Sequence, residues 1–271
     1  MSLLYDFIIQ FSIIISILLF LFSKGYFLIK KFKYLKFLNL SPIIGYSILI
    51  VEINFLYFGF KLNSIATFYL IFGTSSFFLV FSLYNYRLKF FKDFFSTCLI
   101  FLPIILFLLI LSSFYGEQYY VFRGNAWDYF GYVTSGHLSS DYSFDEIQAL
   151  KESNSNINTN MYYLRAISWF NTFPVFSSVL GVFLNALNLN IFLEFYLFKV
   201  VTYSLYSLGA FVFFNNLFKF SYIENYIITQ TLIFNFYNIY ILEIDSLRQI
   251  STLGIFIVCL LLLNIIFLNK K

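Results

Sequence analysis

The sequence predicts an all-α fold, a polytopic transmembrane bundle of seven or eight helices. One long extracytoplasmic loop is expected to carry short juxtamembrane helices. Three observations support this prediction: the composition, the long apolar runs, and the lysine clusters beside those runs. Of the 271 residues, 61% are hydrophobic and only 11% are charged, whereas a soluble domain is usually about 25% charged. Because this small number of charges cannot cover a water-facing surface, the composition predicts an integral membrane protein.

Apolar runs long enough to cross a bilayer recur along the whole chain. A hydrocarbon core about 30 Å thick needs about 20 apolar residues in a helix. Strong runs cover residues 3–22, 38–59, 64–84, 95–114, 191–214 and 250–268, and weaker ones cover 166–186 and 225–243. The weaker runs contain amides such as Asn171 and Gln230. Because lipid offers amides no partner, we expect these helices to be buried in the bundle or broken near a cavity, with a kink at Pro174.

Basic residues orient the predicted helices. The segment 23–36 holds five lysines and no acid, and the segment 86–93 holds Arg87, Lys89 and Lys92 against Asp93. Loops rich in lysine and arginine remain in the cytoplasm. Both segments are therefore predicted to be cytoplasmic, which places the N-terminus and residues 115–165 outside.

The number of crossings depends on the two weaker runs. If both cross the membrane there are eight helices, and Lys270 and Lys271 lie outside, against the lysine rule. If one is re-entrant there are seven, which we favour. We divide the chain into an N-terminal three-helix transmembrane segment, residues 1–94, and a second transmembrane module, residues 95–271, with the extracytoplasmic loop 115–165.

The loop contains two predicted short helices and a linker. The spacing of aromatic residues in "AWDYFGYVTSGHLSS" predicts an amphipathic helix lying on the bilayer surface. The segment "SFDEIQALKE" predicts a second helix, in which Ser143 and Glu146 form a capping box. The segment "LKESNSNINTNMYY" has the composition of a flexible linker or lid.

Asp128 is the candidate catalytic residue of this loop. Trp127 and Tyr129 flank it, so its surroundings are expected to be interfacial and partly dry. A carboxylate held there can take a proton from a hydroxyl group or bind a divalent metal. An ordinary solvated loop aspartate is the alternative. Arg123 could bind phosphate or extend to lipid headgroups.

Glu52 is a charged residue near the middle of an apolar run. A charge at that depth costs about 2.5–3.5 kcal/mol on insertion scales. We therefore predict that Glu52 faces the bundle interior and meets a polar group from another helix. Glu194 and Lys199 are candidate partners.

The helix 95–114 followed by "GNAWDYFGYVTSGHL" resembles the GT-C superfamily of polytopic glycosyltransferases. In that family a transmembrane helix precedes a long extracytoplasmic loop that begins with an acidic residue and aromatics. The resemblance implies that Asp128 is the catalytic base or a ligand of a divalent metal ion. The later segment "EIDSLRQ" is similar to a polar junction in such proteins, which implies that Arg248 contacts the donor phosphate. The predicted substrate-binding residues are Arg123, Trp127, Tyr129, Tyr132, His137 and Arg248.

The resemblance implies an enzyme that moves a sugar from a polyprenyl-phosphate donor to a glycan or lipid acceptor of the cell envelope, in a bacterial inner membrane. The chain departs from the family in having three helices before the loop-bearing helix and few after the loop. A non-enzymatic membrane protein is the alternative, either a transporter or flippase component or an O-antigen-polymerase-like subunit. No nucleic-acid partner is expected, because the lysines lie beside helices and report topology. The sequence has no glycine-rich nucleotide loop, which argues against a nucleotide-sugar donor.

Overall fold

The computed structural model describes residues 2–31, 38–115, 127–153, 161–172, 174–187, 191–218 and 220–235. All regular structure in these residues is helical, in agreement with the predicted all-α class. The α-helices are α1 (Ser2–Lys31), α2 (Ser41–Ile53), α3 (Ser64–Tyr115), α4 (Trp127–Asp141), α5 (Phe144–Ser153), α6 (Met161–Thr172), α7 (Pro174–Leu187), α8 (Ile191–Phe218) and α9 (Tyr222–Ile233). A 3₁₀ turn, Leu38–Leu40, precedes α2, and a π-helical segment, Asn54–Gly59, extends it.

Four helical segments in the described residues are long and apolar enough to cross a membrane: Tyr5–Lys31, Leu38–Gly59, Ser64–Ser112 and Phe195–Phe218. They cover the predicted strong runs in this part of the chain, but α1 continues to Lys31, well past the predicted end at residue 22. The protein is therefore an integral membrane protein by the length and composition of its helices.

The long helix α3 turns back on itself at Arg87, whose backbone is not helical (φ 44°, ψ −126°). The contacts of its two halves with α1 show that the chain reverses direction at this residue. Phe20 packs on Phe72 and Phe27 on Phe81, so the first half of α3 runs in the same direction as α1.

The second half of α3 runs in the opposite direction along α1. Tyr26 packs on Phe90, Phe22 packs on Phe94, and Ser112 contacts Gln10 near the start of α1. The predicted runs 64–84 and 95–114 are thus two antiparallel segments within one continuous element. The domain boundary proposed at residue 94 falls inside this second half.

Glycines allow α1 and α2 to approach closely as an antiparallel pair. A Cβ atom at Gly25 would overlap the backbone of Ser41, and one at Gly45 would overlap the backbone of Leu21. Small residues at helix crossings are typical of membrane bundles, because van der Waals packing has to replace the hydrophobic driving force.

The bundle has two chemically different ends. At one end, which we call the basic end, Lys30 lies 3.6 Å from Asp93, near the turn at Arg87. At the other, which we call the loop end, the Tyr57 hydroxyl donates to the Tyr142 carbonyl (2.8 Å). The two basic segments therefore share one end and the long loop lies at the other, as the lysine pattern requires. That the basic end is cytoplasmic stays a prediction.

Helix α8 is buried along most of its length and runs antiparallel to the second half of α3. The Tyr196 hydroxyl donates to the Leu108 carbonyl, and Ser207 approaches the Ile100 carbonyl (3.5 Å). Helix α9 then turns back, and the Gln230 amide donates to the same Ile100 carbonyl (2.8 Å). This half-buried amide therefore has a partner on a neighbouring helix. Helix α9 is not buried in the bundle as predicted, because it exposes Ile223 and Ile227 on its other side.

The other weaker run is broken. Helices α6 and α7 meet at an angle of 114° at the break before Pro174, as a broken span or a re-entrant loop. The predicted kink is therefore confirmed. The remainder of the run 225–243 and the run 250–268 lie outside the described residues, so the choice between seven and eight crossings stays a prediction.

Candidate functional site

The candidate site is built on α4, which lies across the loop end of the bundle. Tyr132 stacks on Phe195 near the start of α8, with ring centroids 6.0 Å apart. Further along the helix, the Ser140 carbonyl accepts a hydrogen bond of 2.8 Å from Ser64 at the start of α3. Helix α4 therefore bridges the loop-end starts of two membrane-spanning segments.

The prediction that α4 lies as an amphipathic helix on the bilayer surface is wrong. From residue 131 to residue 140 every position is buried except His137. The reason is that α4 packs against α6 and α7, and to a smaller extent against α3, α5 and α8.

A row of small residues joins α4 to α7. The row on α4 consists of every fourth residue: Gly131, Ser135 and Ser139. Gly131 faces Trp169 on α6. Ser135 and Ser139 face Ser177 and Gly181 on α7. The Ser177 and Ser135 hydroxyls are hydrogen-bonded at 2.7 Å. A Cβ atom at Gly181 would lie 2.6 Å from the Ser139 Cβ. We call the contact formed by Ser135, Ser139, Ser177 and Gly181 the serine–glycine seam.

The position of Asp128 lies in the first turn of α4. At about 3.6 residues per turn, Ser135 follows it by about two turns and Ser139 by about three. Asp128 therefore occupies the face of α4 that carries the seam. The start of a helix also favours a carboxylate, because the unpaired N–H groups and the helix dipole are positive there.

His137 lies on the opposite face of α4, since it follows Asp128 by about two and a half turns. It is exposed, and its Nδ1 is 3.5 Å from Asp141 Oδ2. The Ser140 hydroxyl donates to the other oxygen of the same carboxylate (2.9 Å). The structure therefore does not bring His137 together with the Asp128 position.

Tyr132 belongs to the protein core in this structure. Its ring lies 5.4 Å from Trp169 in an edge-on contact, in addition to its stacking on Phe195. A Cβ atom at Gly131 would overlap the Trp169 ring. Glycine therefore allows α6 to approach this side of α4. The predicted contact of Tyr132 with substrate stays a prediction.

Helix α5 begins at the predicted place, but only the half of the predicted capping box in which the Glu146 side chain accepts from the Ser143 N–H is present. The Ser143 N–H and hydroxyl both donate to Glu146 Oε2, at 2.7 and 2.8 Å. These two hydrogen bonds hold the pKa of the Glu146 carboxyl below its usual range. Lys61, just before α3, forms an ion pair of 2.9 Å with Asp145. Glu146 thus caps the start of α5, and Asp145 forms an exposed ion pair with the segment before α3.

Several predicted site residues lie outside the described part of the chain. These are Arg123, Arg248, and the side chains of Trp127, Asp128 and Tyr129. Their convergence stays a prediction. In the described residues no three His, Cys, Asp or Glu side chains are grouped to hold a metal ion. The side chain of Asp128, the predicted metal ligand, is not among them, so a divalent metal at that position stays a prediction.

The structure shows one polar site whose partners the sequence did not predict. Glu52 meets polar groups of other helices, as predicted, but its partner is Lys24 and not Glu194 or Lys199. Thr74 Oγ1 donates to Glu52 Oε1 (3.0 Å) and accepts from Lys24 Nζ (3.2 Å).

The lysine pattern places Lys24 in the cytoplasmic segment 23–36, and this is wrong for Lys24, which is buried within α1 and pairs with Glu52. The apolar stretch "GYFLI" that follows Lys24 was the available signal that α1 continues and that this lysine lies inside the helix.

No protein-family model, curated protein or solved structure matches this chain.

Proposed function

We propose that this protein is an integral membrane glycosyltransferase that moves a sugar from a polyprenyl-phosphate donor to a cell-envelope acceptor, with Asp128 as the catalytic base. The observation that supports the proposal is the position of Asp128. It lies at the start of a helix at the loop end of the bundle, on the same face as the buried serine–glycine seam. By its register on α4, this position is on the side of the helix opposite the exposed His137.

The chemistry requires a base and a stabilised leaving group. The acceptor hydroxyl attacks the anomeric carbon, its proton passes to the Asp128 carboxylate, and the bond between that carbon and the phosphate oxygen breaks. The bonding electrons leave with the polyprenyl phosphate. Positive groups that face the departing phosphate would stabilise it, and Arg123 and Arg248 are proposed for this role.

A fixed helix suits this chemistry. Catalytic groups act best when their support is rigid, because an error of about 1 Å in position can cost about 10²-fold in rate. Helix α4 is held by the seam hydroxyls, by Tyr132 between Trp169 and Phe195, and by the Ser64 hydrogen bond. Trp127 and Tyr129 are proposed to lie at the headgroup level, where amphipathic rings are favoured, against sugar or the polyprenyl chain.

The test compares Asp128→Asn with Asp141→Asn in cells that lack the native copy. The first variant keeps the size of the side chain but removes the base. The second removes a carboxylate from the exposed face of the same helix. Because general-base catalysis is worth about 10²–10⁴-fold, we expect Asp128→Asn to lower envelope-glycan assembly at least tenfold. Asp141→Asn should leave it unchanged. The amount of each variant in the membrane is measured by immunoblot.

Normal glycan assembly in the Asp128→Asn variant, at the normal amount of protein, would reject the enzyme. The Lys24–Glu52–Thr74 group, in which Lys24 is buried and Glu52 half-buried, favours a second candidate in that case. This candidate is a transporter or flippase component, because intramembrane charges often mark a transport path. That candidate predicts loss of activity in the double variant Lys24→Met/Glu52→Gln at a normal amount of protein, because no uncompensated charge remains in it. Asp128→Asn should remain active.

A further inference from the structure

The basic end of the bundle carries a group of exposed cations. Its members come from the end of α1 and from the turn of α3, and we call them the basic patch: Lys31, Arg87, Lys89 and Lys92. Two acids among the described residues lie at this end. Glu224, at the start of α9, accepts a hydrogen bond of 2.9 Å from the Ser221 N–H. The other is Asp93. It already accepts a hydrogen bond of 2.9 Å from the Tyr26 hydroxyl and lies 3.6 Å from Lys30. Neither acid forms an ion pair with a member of the patch, so the described groups at this end keep a net positive charge.

Aromatic packing holds the two contributing segments together. Tyr26 of α1 contacts Tyr86 with ring centroids 5.3 Å apart, and Phe27 contacts Phe81 at 5.2 Å. Lys31 lies 5.9 Å from the centre of the Phe27 ring. The cations from two distant parts of the sequence therefore lie on one end of the bundle.

The same turn exposes apolar side chains beside the cations. Tyr84 is 80% exposed and Leu88 is 85% exposed, on either side of Arg87. The chain reverses over a turn in which Arg87 alone has non-helical dihedrals, so the turn cannot extend far from the helices. Apolar and cationic groups combined at a helix end are typical of the membrane interface. This combination suits a position at the depth of lipid phosphates.

We infer that the basic patch binds the headgroups of anionic phospholipids. The arginine guanidinium can hold two phosphate oxygens at once, and the lysines add positive charge from either side. Each cation near an anionic surface strengthens binding by about fivefold. The site is at the end of the bundle opposite α4, so it is independent of the proposed catalytic residue.

The test uses the full chain purified in detergent, where both ends are accessible. A neutral variant, Arg87→Gln/Lys89→Gln/Lys92→Gln, is compared with a charge-preserving variant, Arg87→Lys/Lys89→Arg/Lys92→Arg. Native mass spectrometry measures the phosphatidylglycerol and phosphatidylcholine that each retains from an equal mixture. We expect the wild type and the charge-preserving variant to prefer phosphatidylglycerol. The neutral variant should lose most of this preference, with an apparent affinity weakened at least tenfold.

Three results would overturn the inference. One is equal retention of the two lipids by the wild-type protein. Another is an unchanged preference in the neutral variant, which would place the lipid site elsewhere. The third is equally tight binding of soluble glycerol phosphate to the patch, which would indicate a site for a free anion and not for a membrane lipid. The Asp128→Asn protein should retain phosphatidylglycerol normally, so failure of the glycosyltransferase proposal is distinguishable from failure of this one.

Discussion

At the scale of single residues, the structure places a complete ion pair inside the membrane-spanning bundle. The side chain of Lys24 is 1% exposed, and that of Glu52 is 20% exposed. Thr74 contacts both charged groups, so hydroxyl, ammonium and carboxylate form one hydrogen-bonded group. Each charge compensates for the other's loss of hydration, which makes the pair far more sensitive to the loss of one partner than of both.

We therefore predict that Glu52→Gln destabilises the protein strongly. It leaves the buried Lys24 ammonium without its carboxylate, and breaking a buried pair costs roughly 3–5 kcal/mol. The double variant Lys24→Met/Glu52→Gln should lose much less stability, because no uncompensated charge remains. Thermal unfolding in detergent measures the difference, at about 2–4 °C for each kcal/mol.

The matched control is Lys61→Met. Its partner Asp145 is also a carboxylate, but both side chains are more than half exposed, and exposed pairs contribute about 0–1 kcal/mol. If the double variant is as unstable as the sum of its single variants, the Lys24–Glu52 pair does not act as a unit.

The interior position of Glu52 could be predicted from its sequence alone, but its partner could not. Depth in an apolar run determines the cost of a charge, and this is a local property. The identity of the partner depends on how α1 and α2 cross, at Gly25 and Gly45, which apolar periodicity does not reveal. For Asp128, the sequence predicted a place at the loop end, and only the helix register showed which face it occupies.

At the scale of secondary-structure elements, α4 shows why a surface helix was predicted. The aromatic residues near its start and His137 recur with a helical period, which is typical of an amphipathic helix. Gly131, Ser135 and Ser139 recur with a helical period too, and in a membrane protein small residues mark the contact face. The apolar residues alone therefore predict a bilayer-surface position for a helix that is buried in protein.

The serine–glycine seam predicts a contrast between two glycine substitutions. In Gly181→Ala the new Cβ lies 2.6 Å from the Ser139 Cβ and 2.7 Å from the Ser140 nitrogen. Backbone has to move, and overpacking of this kind costs about 1–3 kcal/mol. We expect a lower unfolding temperature and, if α4 carries the catalytic residue, reduced glycan assembly.

Gly73→Ala is the matched control, since nothing lies within 4 Å of its Cβ position. Alanine favours a helix over glycine by about 1 kcal/mol, so this variant should be neutral or slightly more stable in the same thermal assay. Equal effects of the two substitutions would contradict the close approach of α4 and α7.

At the scale of the whole molecule, the helices and the two ends of the bundle were largely predictable, whereas the packing at the loop end was not. Apolar runs of membrane length identify helices because lipid offers the backbone no partner, and lysine clusters mark one side. By contrast, the sharp α6–α7 angle and the burial of α4 depend on side-chain contacts between distant segments. The sequence indicated the break at Pro174, but not the seam that α7 forms with α4.

The last prediction concerns orientation, on which the proposed donor depends. In a background with Cys98→Ser and Cys259→Ser, we place single cysteines at Lys151, on α5 at the loop end, or at Lys89, at the basic end. Both positions are exposed. Because the basic end is predicted to be cytoplasmic, an impermeant thiol reagent should label Lys151→Cys in intact cells. Lys89→Cys should react only after the cells are permeabilised.

Each site is the control for the other, since both must react once the membrane is opened. The opposite pattern, with Lys89→Cys labelled in intact cells and Lys151→Cys protected, would place α4 and Asp128 on the cytoplasmic side. An extracytoplasmic transfer reaction at that helix would then be impossible. The basic patch would instead face the outer leaflet, although its binding of anionic lipid in detergent would be unchanged. Orientation and lipid recognition are thus tested separately, because the first depends on insertion and the second only on the folded bundle.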